Sequence, residues 1–389
     1  MQLRRVWLQD FRSHHELEID LDLGLTAVLG DNGVGKTNLL EAIALLSTLR
    51  SFRGAPTESL IRRGATEAII RAEGIRDDRD VLIEVALSRQ GRTRVQVNRQ
   101  RVQRTQDLLG ALRVMVFAPD DLAMVKDGPS ERRRYLDELM VVLDPRAAAL
   151  QADLERVLKQ RNALLKQCKG RLDDAASITL DVWDDKLATL ATELTEERER
   201  LVATLGPRLQ RSYAVLAGEV VPLDARYERS WTAPSLAEAL ADGRDDDVRR
   251  GVSLIGPHRD EMDLRLDGLA SRTEASQGEQ RTLALAMRLA AHQLATDRLG
   301  EAPLLLLDDV LSELDPDRAA ALLAHLPPGQ SVITSASGLP EPTRPDAVVR
   351  VGRDGLVAVE PGVVVAEAGA VDAALVDLRG DDEPVGGTP

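Results

Sequence analysis

"VLGDNGVGKTNLLEAI", Val28 to Ile43, is the stretch that decides how the rest of the chain is read. A short apolar run leads into a glycine-rich turn. A lysine and a threonine follow, then apolar residues at helical spacing: Leu39, Leu40, Ile43 and Leu46. Gly30, Gly35, Lys36 and Thr37 fit G-x-x-x-x-G-K-[ST], with Asp31, Asn32, Gly33 and Val34 between them. Glycines let backbone N–H groups wrap phosphates at a helix N-terminus, whose dipole favours anions. Lys36 is then placed to reach the β- and γ-phosphates of ATP, and Thr37 to ligate Mg²⁺ through its hydroxyl. A strand before the loop and a helix after it argue against a chance glycine turn.

Two further stretches belong with this loop. In "LLLLDDVLSELD", Leu304 to Asp315, four leucines drive a buried strand of the parallel kind. Asp308 at its end can hold Mg²⁺ opposite the glycine loop, and Asp309 can orient the attacking water. "SQGEQRTLALAMRLA" begins at Ser276, about thirty residues before Asp308. Ser276, Gly278 and the following helix make a second anion site. Ser276 with Glu279 three residues on also fits a capping box.

The 389 residues are enough for two or three domains, and 29% of them are charged, which fits a soluble globular chain. No apolar stretch approaches the ~20 residues of a membrane span. "MQLRRVWLQDF" lacks the apolar core of a secretory signal. The single cysteine, Cys168, excludes an internal disulfide and a cysteine-built zinc site, and a reducing cytoplasm is expected. The first third reads as strands around one helix. From Ser130 to about Arg211 the pattern is helical, with stripes such as Leu150, Leu154, Val157, Leu158 and Leu187, Leu190, Leu194, Leu201. Alternating strand and helix then return. The expected organisation is α/β: mixed sheets with flanking helices over 1–118 and 251–361, an inserted, mainly helical arm over 119–250, and a disordered tail over 362–389.

The order of glycine loop, "S-x-G-x-Q" and metal strand resembles ABC-type ATPase heads. A head split by helices resembles the SMC group among them, and the short arm resembles the RecF family of bacterial recombination mediators. "LQDFRSHHELEIDL", "SFRG", "GPSERRRYLD" and "GPHRDE" carry that likeness, which runs to about residue 340. It implies a homodimer closed by ATP, in which Ser276 and Gly278 contact the γ-phosphate held by the other subunit. "SELD", Ser312 to Asp315, is then the loop that crosses the interface. Arg12 is implied beside the α-phosphate or base, although a strand-end surface arginine fits it too; Arg259 is implied near nucleotide or interface, or paired with Asp260. The family's role implies ATP-dependent binding of double-stranded or gapped DNA in replication, repair and the SOS response, and help from RecO- and RecR-like partners in loading recombinase.

Departures from transporter ATPases weigh against the alternative of a membrane-transporter subunit. Asp309 stands where transporters carry glutamate, which predicts slow hydrolysis. Thr334 stands near their histidine, and no glutamine lies between Val114 and Asp137; Asp120 or Asp121 is the expected substitute. A net charge of -14 opposes coating of nucleic acid, but local basic clusters are the phosphate-contact candidates: Arg92, Arg94, Arg99, Arg101 and Arg104, Arg132 to Arg134, and Arg156, Lys159, Arg161 and Lys166. Each also fits a solvated face. Aromatics at 2% argue against a base-stacking platform.

Overall fold

The computed structural model describes residues 2–76, 78–102, 108–352 and 357–359. Arg104 and the expected tail 362–389 lie outside the described residues. The first third lays down β1 (Gln2–Phe11), β2 (His14–Asp20), β3 (Leu25–Leu29), α1 (Lys36–Thr48), β4 (Glu67–Arg76), β5 (Arg79–Ser88), β6 (Arg94–Val97), β7 (Gln100–Arg101) and β8 (Val114–Phe117). Six of these strands form an antiparallel sheet in the order β2-β1-β4-β5-β6-β7. In β1 a register shift between Leu3 and Arg5 re-aims the strand, so that Leu3, Val6 and Leu8 all face inward despite their mixed parity.

The arm follows as α2 (Pro129–Leu143), α3 (Ala147–Cys168) and α4 (Asp174–Ala217). Asp173 caps α4 by accepting from the Ala176 N–H at 2.7 Å, and Gly218, at φ 73°, ends it. The chain returns through β9 (Leu223–Glu228), α5 (Leu236–Asp242), α6 (Arg244–Arg250), β10 (Glu261–Leu266), β11 (Leu269–Ala270) and α7 (Gln277–Leu299). It closes with β12 (Leu304–Leu307), α8 (Pro316–Ala324), β13 (Ser331–Ser335), β14 (Ala347–Val351) and β15 (Val357–Val359). β9 lies inside the span 119–250 but pairs antiparallel with β10, so arm and head share a three-stranded sheet. No helix among the described residues is long and apolar enough to cross a membrane.

The second large sheet has the order β15-β14-β3-β13-β12-β8, parallel throughout except for the edge strand β15. The four leucines of β12 are buried on both faces and sort by parity. Leu304 and Leu306 join the core built by α1 and the N-terminal sheet. Leu305 and Leu307 join the core that α7 shares with the arm. One strand thus ties the two cores together, and its carboxyl end, like that of β3, opens where a parallel sheet binds ligands.

Candidate nucleotide site

The loop between β3 and α1 is shaped by what its glycines touch. A Cβ at Gly30 would come 2.3 Å from the Val351 carbonyl, and one at Gly35 (φ 111°) would come 2.7 Å from the His14 ring. His14 is buried and hydrogen-bonds the Gly35 carbonyl through Nε2 at 3.1 Å, so it presses the loop from below. Burial lowers its pKa, which keeps the ring neutral. Asn38 Nδ2 donates to Ser13 Oγ at 2.8 Å and ties the first turn of α1 to the β1–β2 corner.

Lys36 lies folded over the loop, with Nζ donating to the carbonyls of Gly30 at 2.7 Å and Asp31 at 2.9 Å. Thr37 Oγ1 donates to Asp308 Oδ1 at 2.8 Å, and Thr334 Oγ1 donates to the same oxygen at 2.9 Å. The Asp309 N–H donates in turn to Thr334 Oγ1 at 2.8 Å. Burial pushes the Asp308 carboxyl above its ordinary value; the two threonine hydroxyls oppose this, Asp309 adds to it and the Arg53 charge offsets part of it. Asp309 itself sits at φ 48°, a left-handed conformation that aspartate adopts more readily than most non-glycine residues. Loop, Thr37, Asp308 and Asp309, far apart in sequence, therefore meet at one place. Their hard oxygen donors suit Mg²⁺ sharing its coordination with phosphates; among the described residues no group of three or more His, Cys, Asp or Glu is placed to hold a metal by itself.

Arg12 is brought to α1, where it makes a bidentate ion pair with Glu41 at 2.8 Å on both arms. Glu41 is fully buried and also accepts from Ser51 Oγ at 2.5 Å. The sequence reading missed Glu41, although its place among Leu40, Ala42 and Ile43 on a helix buried nearly all round marks it as a carboxylate in need of a partner. It missed Arg53 of "SFRG" too; that arginine is exposed and near enough for its charge to act on Asp308.

Ser276 caps α7 in the capping box: Ser276 Oγ accepts from the Glu279 N–H at 3.3 Å, and Glu279 Oε2 accepts from the Ser276 N–H at 2.7 Å. Ser276 is exposed. Among the described residues no hydrogen bond links Ser276 or Gly278 to the glycine loop of the same chain. The turn lies instead against the segment after Asp309. Arg281 pairs with Glu313 at 2.5 Å, and a Cβ on Gly278 would come 2.9 Å from Arg318 Nη1.

The basic candidates divide. Arg92, Arg99 and Arg101 are exposed on the β6–β7 hairpin and just before it. Val97 pairs with Gln100, so Asn98 and Arg99 form a two-residue turn with φ 52° and 63°, both positive as a type I′ turn requires. Arg94 is tied to Glu67 at 3.1 Å. Arg134, Arg156, Lys159 and Lys166 are exposed on the arm. Two candidates are corrected. Arg132 is 5% exposed and bound to both oxygens of Glu261 at 2.7 and 2.8 Å. Arg161 is 0% exposed, with Asp184 and Asp247 each at 2.6 Å, so neither can reach a phosphate. Asp121 is occupied as well, in a 2.6 Å ion pair with Arg288 and as the cap of its own turn. Arg259 donates to the Ser253 carbonyl at 3.3 Å, while Asp260 takes other partners.

A family model described as the RecF/RecN/SMC N terminal domain matches residues 2–335. The DNA replication and repair protein RecF of Streptomyces avermitilis is 42% identical over 358 residues, covering 87% of this chain and 94% of that protein. RecF of Frankia alni is 41% identical over 362 residues, covering 87% and 93%. Among solved structures, the recombination mediator protein RecF with ATP, of the RecFOR pathway, superposes with a TM-score of 0.83 at 29% identity, covering 92% of this chain and 97% of that one.

Proposed function

The chain belongs to the RecF family of SMC-like ATPase heads, and from that premise we propose that ATP acts in it as the closing signal of a DNA clamp. Its role lies in DNA replication and recombinational repair, and the transporter alternative is set aside. ATP binds the loop 30–37, and two copies close so that Ser276 and Gly278 of each meet the γ-phosphate on the other. The observation that carries this reading is the division of the phosphate machinery. Thr37, Asp308 and Asp309 meet in one place, whereas Ser276 is exposed and points to no phosphate loop of its own chain. A second copy completes what one copy leaves open.

Lys36, released from the Gly30 and Asp31 carbonyls, would turn to the β- and γ-phosphates. Thr37 and Asp308 would hold Mg²⁺, which when bound neutralises phosphate charge. Asp309 would orient the attacking water. Its short side chain suits slow hydrolysis, which resets a switch. Arg12 would lie beside the nucleotide while braced by Glu41. The head would comprise 1–118 and 251–361, and the arm 119–250. Duplex or gapped DNA is gripped by its backbone, with RecO- and RecR-like proteins as partners in a cytoplasmic repair pathway.

Sedimentation and duplex-DNA binding with ATP, with ADP and without nucleotide test this, beside Lys36→Ala. ATP should drive both dimerisation and DNA binding, and the variant should lose both. ATP binding without any gain in DNA affinity at low salt would sink the clamp.

A further inference from the structure

Two stretches that the nucleotide site does not use lie against each other where arm meets head. They are "GPSERRRYLD", Gly128 to Asp137, and "GPHRDE", Gly256 to Glu261. Every carboxylate of these two motifs at that contact is already engaged. Glu261 holds Arg132 at 2.7 Å, and Asp137 holds Arg198 at 2.8 Å. Asp260, fully buried, accepts from the Tyr227 hydroxyl at 2.8 Å and the Ser230 N–H at 2.7 Å. Two guanidiniums are left over. Arg133 gives one N–H to the Asp260 carbonyl at 2.7 Å. Arg259 gives one to the Ser253 carbonyl at 3.3 Å, which His258 Nε2 shares at 3.1 Å. Neither arginine has a carboxylate partner among the described residues.

A guanidinium carries five N–H donors, so most of those on Arg133 and Arg259 remain open. Arg133 is partly buried, and desolvation together with the nearby charge of Arg198 lowers its pKa. Glu261 and Asp260 lie near enough to offset part of that cost, but each is already bound to another donor, so an anion from outside would relieve the remainder. His258 fixes the loop that presents Arg259: its ring packs so closely on Gly256 that a Cβ there would come within 3.2 Å.

We propose that Arg133 and Arg259 form a phosphate-binding site at the arm–head joint, taking backbone phosphates of duplex DNA. Guanidinium forks match phosphate oxygens in geometry and charge. The nucleotide is the less fitting source: among the described residues no hydrogen bond joins Arg133, His258 or Arg259 to the glycine loop. In an acidic chain, a local surplus of positive charge is what a polyanion requires. The assignment rests on the clamp reading and gives it a second point of contact, on the arm side.

The test is duplex-DNA affinity with ATP across a salt series for wild type, Arg133→Gln, Arg259→Gln and the double variant, with ATP affinity measured beside it. Each single variant should bind DNA more weakly, and its plot of log affinity against log salt should flatten by about 0.9, the double by about 1.8. Arg133→Lys and Arg259→Lys should restore the slope, which a merely structural role would not require. Unchanged slopes in a wild type that binds DNA overturn this site and leave the clamp standing. No ATP-dependent DNA binding by wild type overturns both. A fall in ATP affinity with slopes unchanged assigns the phosphate to the nucleotide and overturns the DNA assignment.

Discussion

The hairpin at Arg92 to Arg101 and the arm helices read alike in the sequence, as basic clusters, yet they use their arginines in opposite ways. On the hairpin the guanidiniums of Arg92, Arg99 and Arg101 stand in solvent. In the arm, Arg132, Arg161 and Arg198 are buried and each is bound to a carboxylate. Position along the helix makes the difference. Arg161 follows Leu154 and Val157 and precedes Leu165 on one stripe; Arg198 falls between Leu194 and Leu201. At these spacings a side chain faces the core whatever its charge, and the fold must supply the counter-ion.

The sharpest way to break this comparison is Arg161→Ala. It would leave the buried Asp247 without an ion-pair partner and Asp184 with Arg244 alone, at 2.7 Å, and we expect a loss of about 3–5 kcal/mol by chemical denaturation. The outer arm should open first, because its own core holds only Leu165, Leu180 and Val248 as buried residues. Amide hydrogen exchange would show protection lost there before the head. Equal stability of the variant would mean that Arg161 is not the hub.

Arg99→Gly should act in the reverse sense. Glycine relieves the positive φ at the turn, and stability should rise by up to about 1 kcal/mol. DNA affinity should fall, with a salt slope flatter by about 0.9. A variant that gains stability and keeps its affinity would make the hairpin a solvated face and nothing more.

The smallest effect concerns pH. The Asp308 carboxyl is raised above 3.8 by burial, so in mildly acidic solution more of it is protonated than of an ordinary aspartate. Mg²⁺-dependent nucleotide affinity should therefore weaken as pH falls, starting at a higher pH than for an ordinary aspartate. The apo fold should move the other way in this range: a raised folded-state pKa means the native chain binds more protons there, so acid relieves the burial cost. Titration of nucleotide binding with and without Mg²⁺ checks the sign; a pH-independent Mg²⁺ effect would exclude Asp308 as ligand.

The glycine loop, the strand Leu304–Leu307 and the helix after Ser276 were legible because their residue types answer local backbone demands: a positive φ, burial on both faces, a cap. The strands and helices flanking them followed from period. The Arg12–Glu41 pair and the approach of Arg53 to Asp308 were not legible, since they join segments whose meeting depends on how the N-terminal sheet packs over α1. The sharing of β9 between arm and head escaped for the same reason: nothing within Leu223–Glu228 names its partner strand. For Ser276 the sequence leaves both capping and phosphate binding open; the geometry shows the capping box formed, at a residue that is exposed.

The helix Asp174–Ala217 has 44 residues, which at ~1.5 Å each makes a rod of ~66 Å. From Leu187 to Leu216 it is packed into the core that also holds α7, the helix that begins at Ser276. The stretch beyond that core, 174–186, projects by only ~20 Å, so a tilt of ~5° confined to it moves the tip by ~2 Å. A larger swing of the arm requires α4 and α7 to turn together as one packed body. The helix that starts beside the signature serine and the rod of the arm are thereby geared to each other.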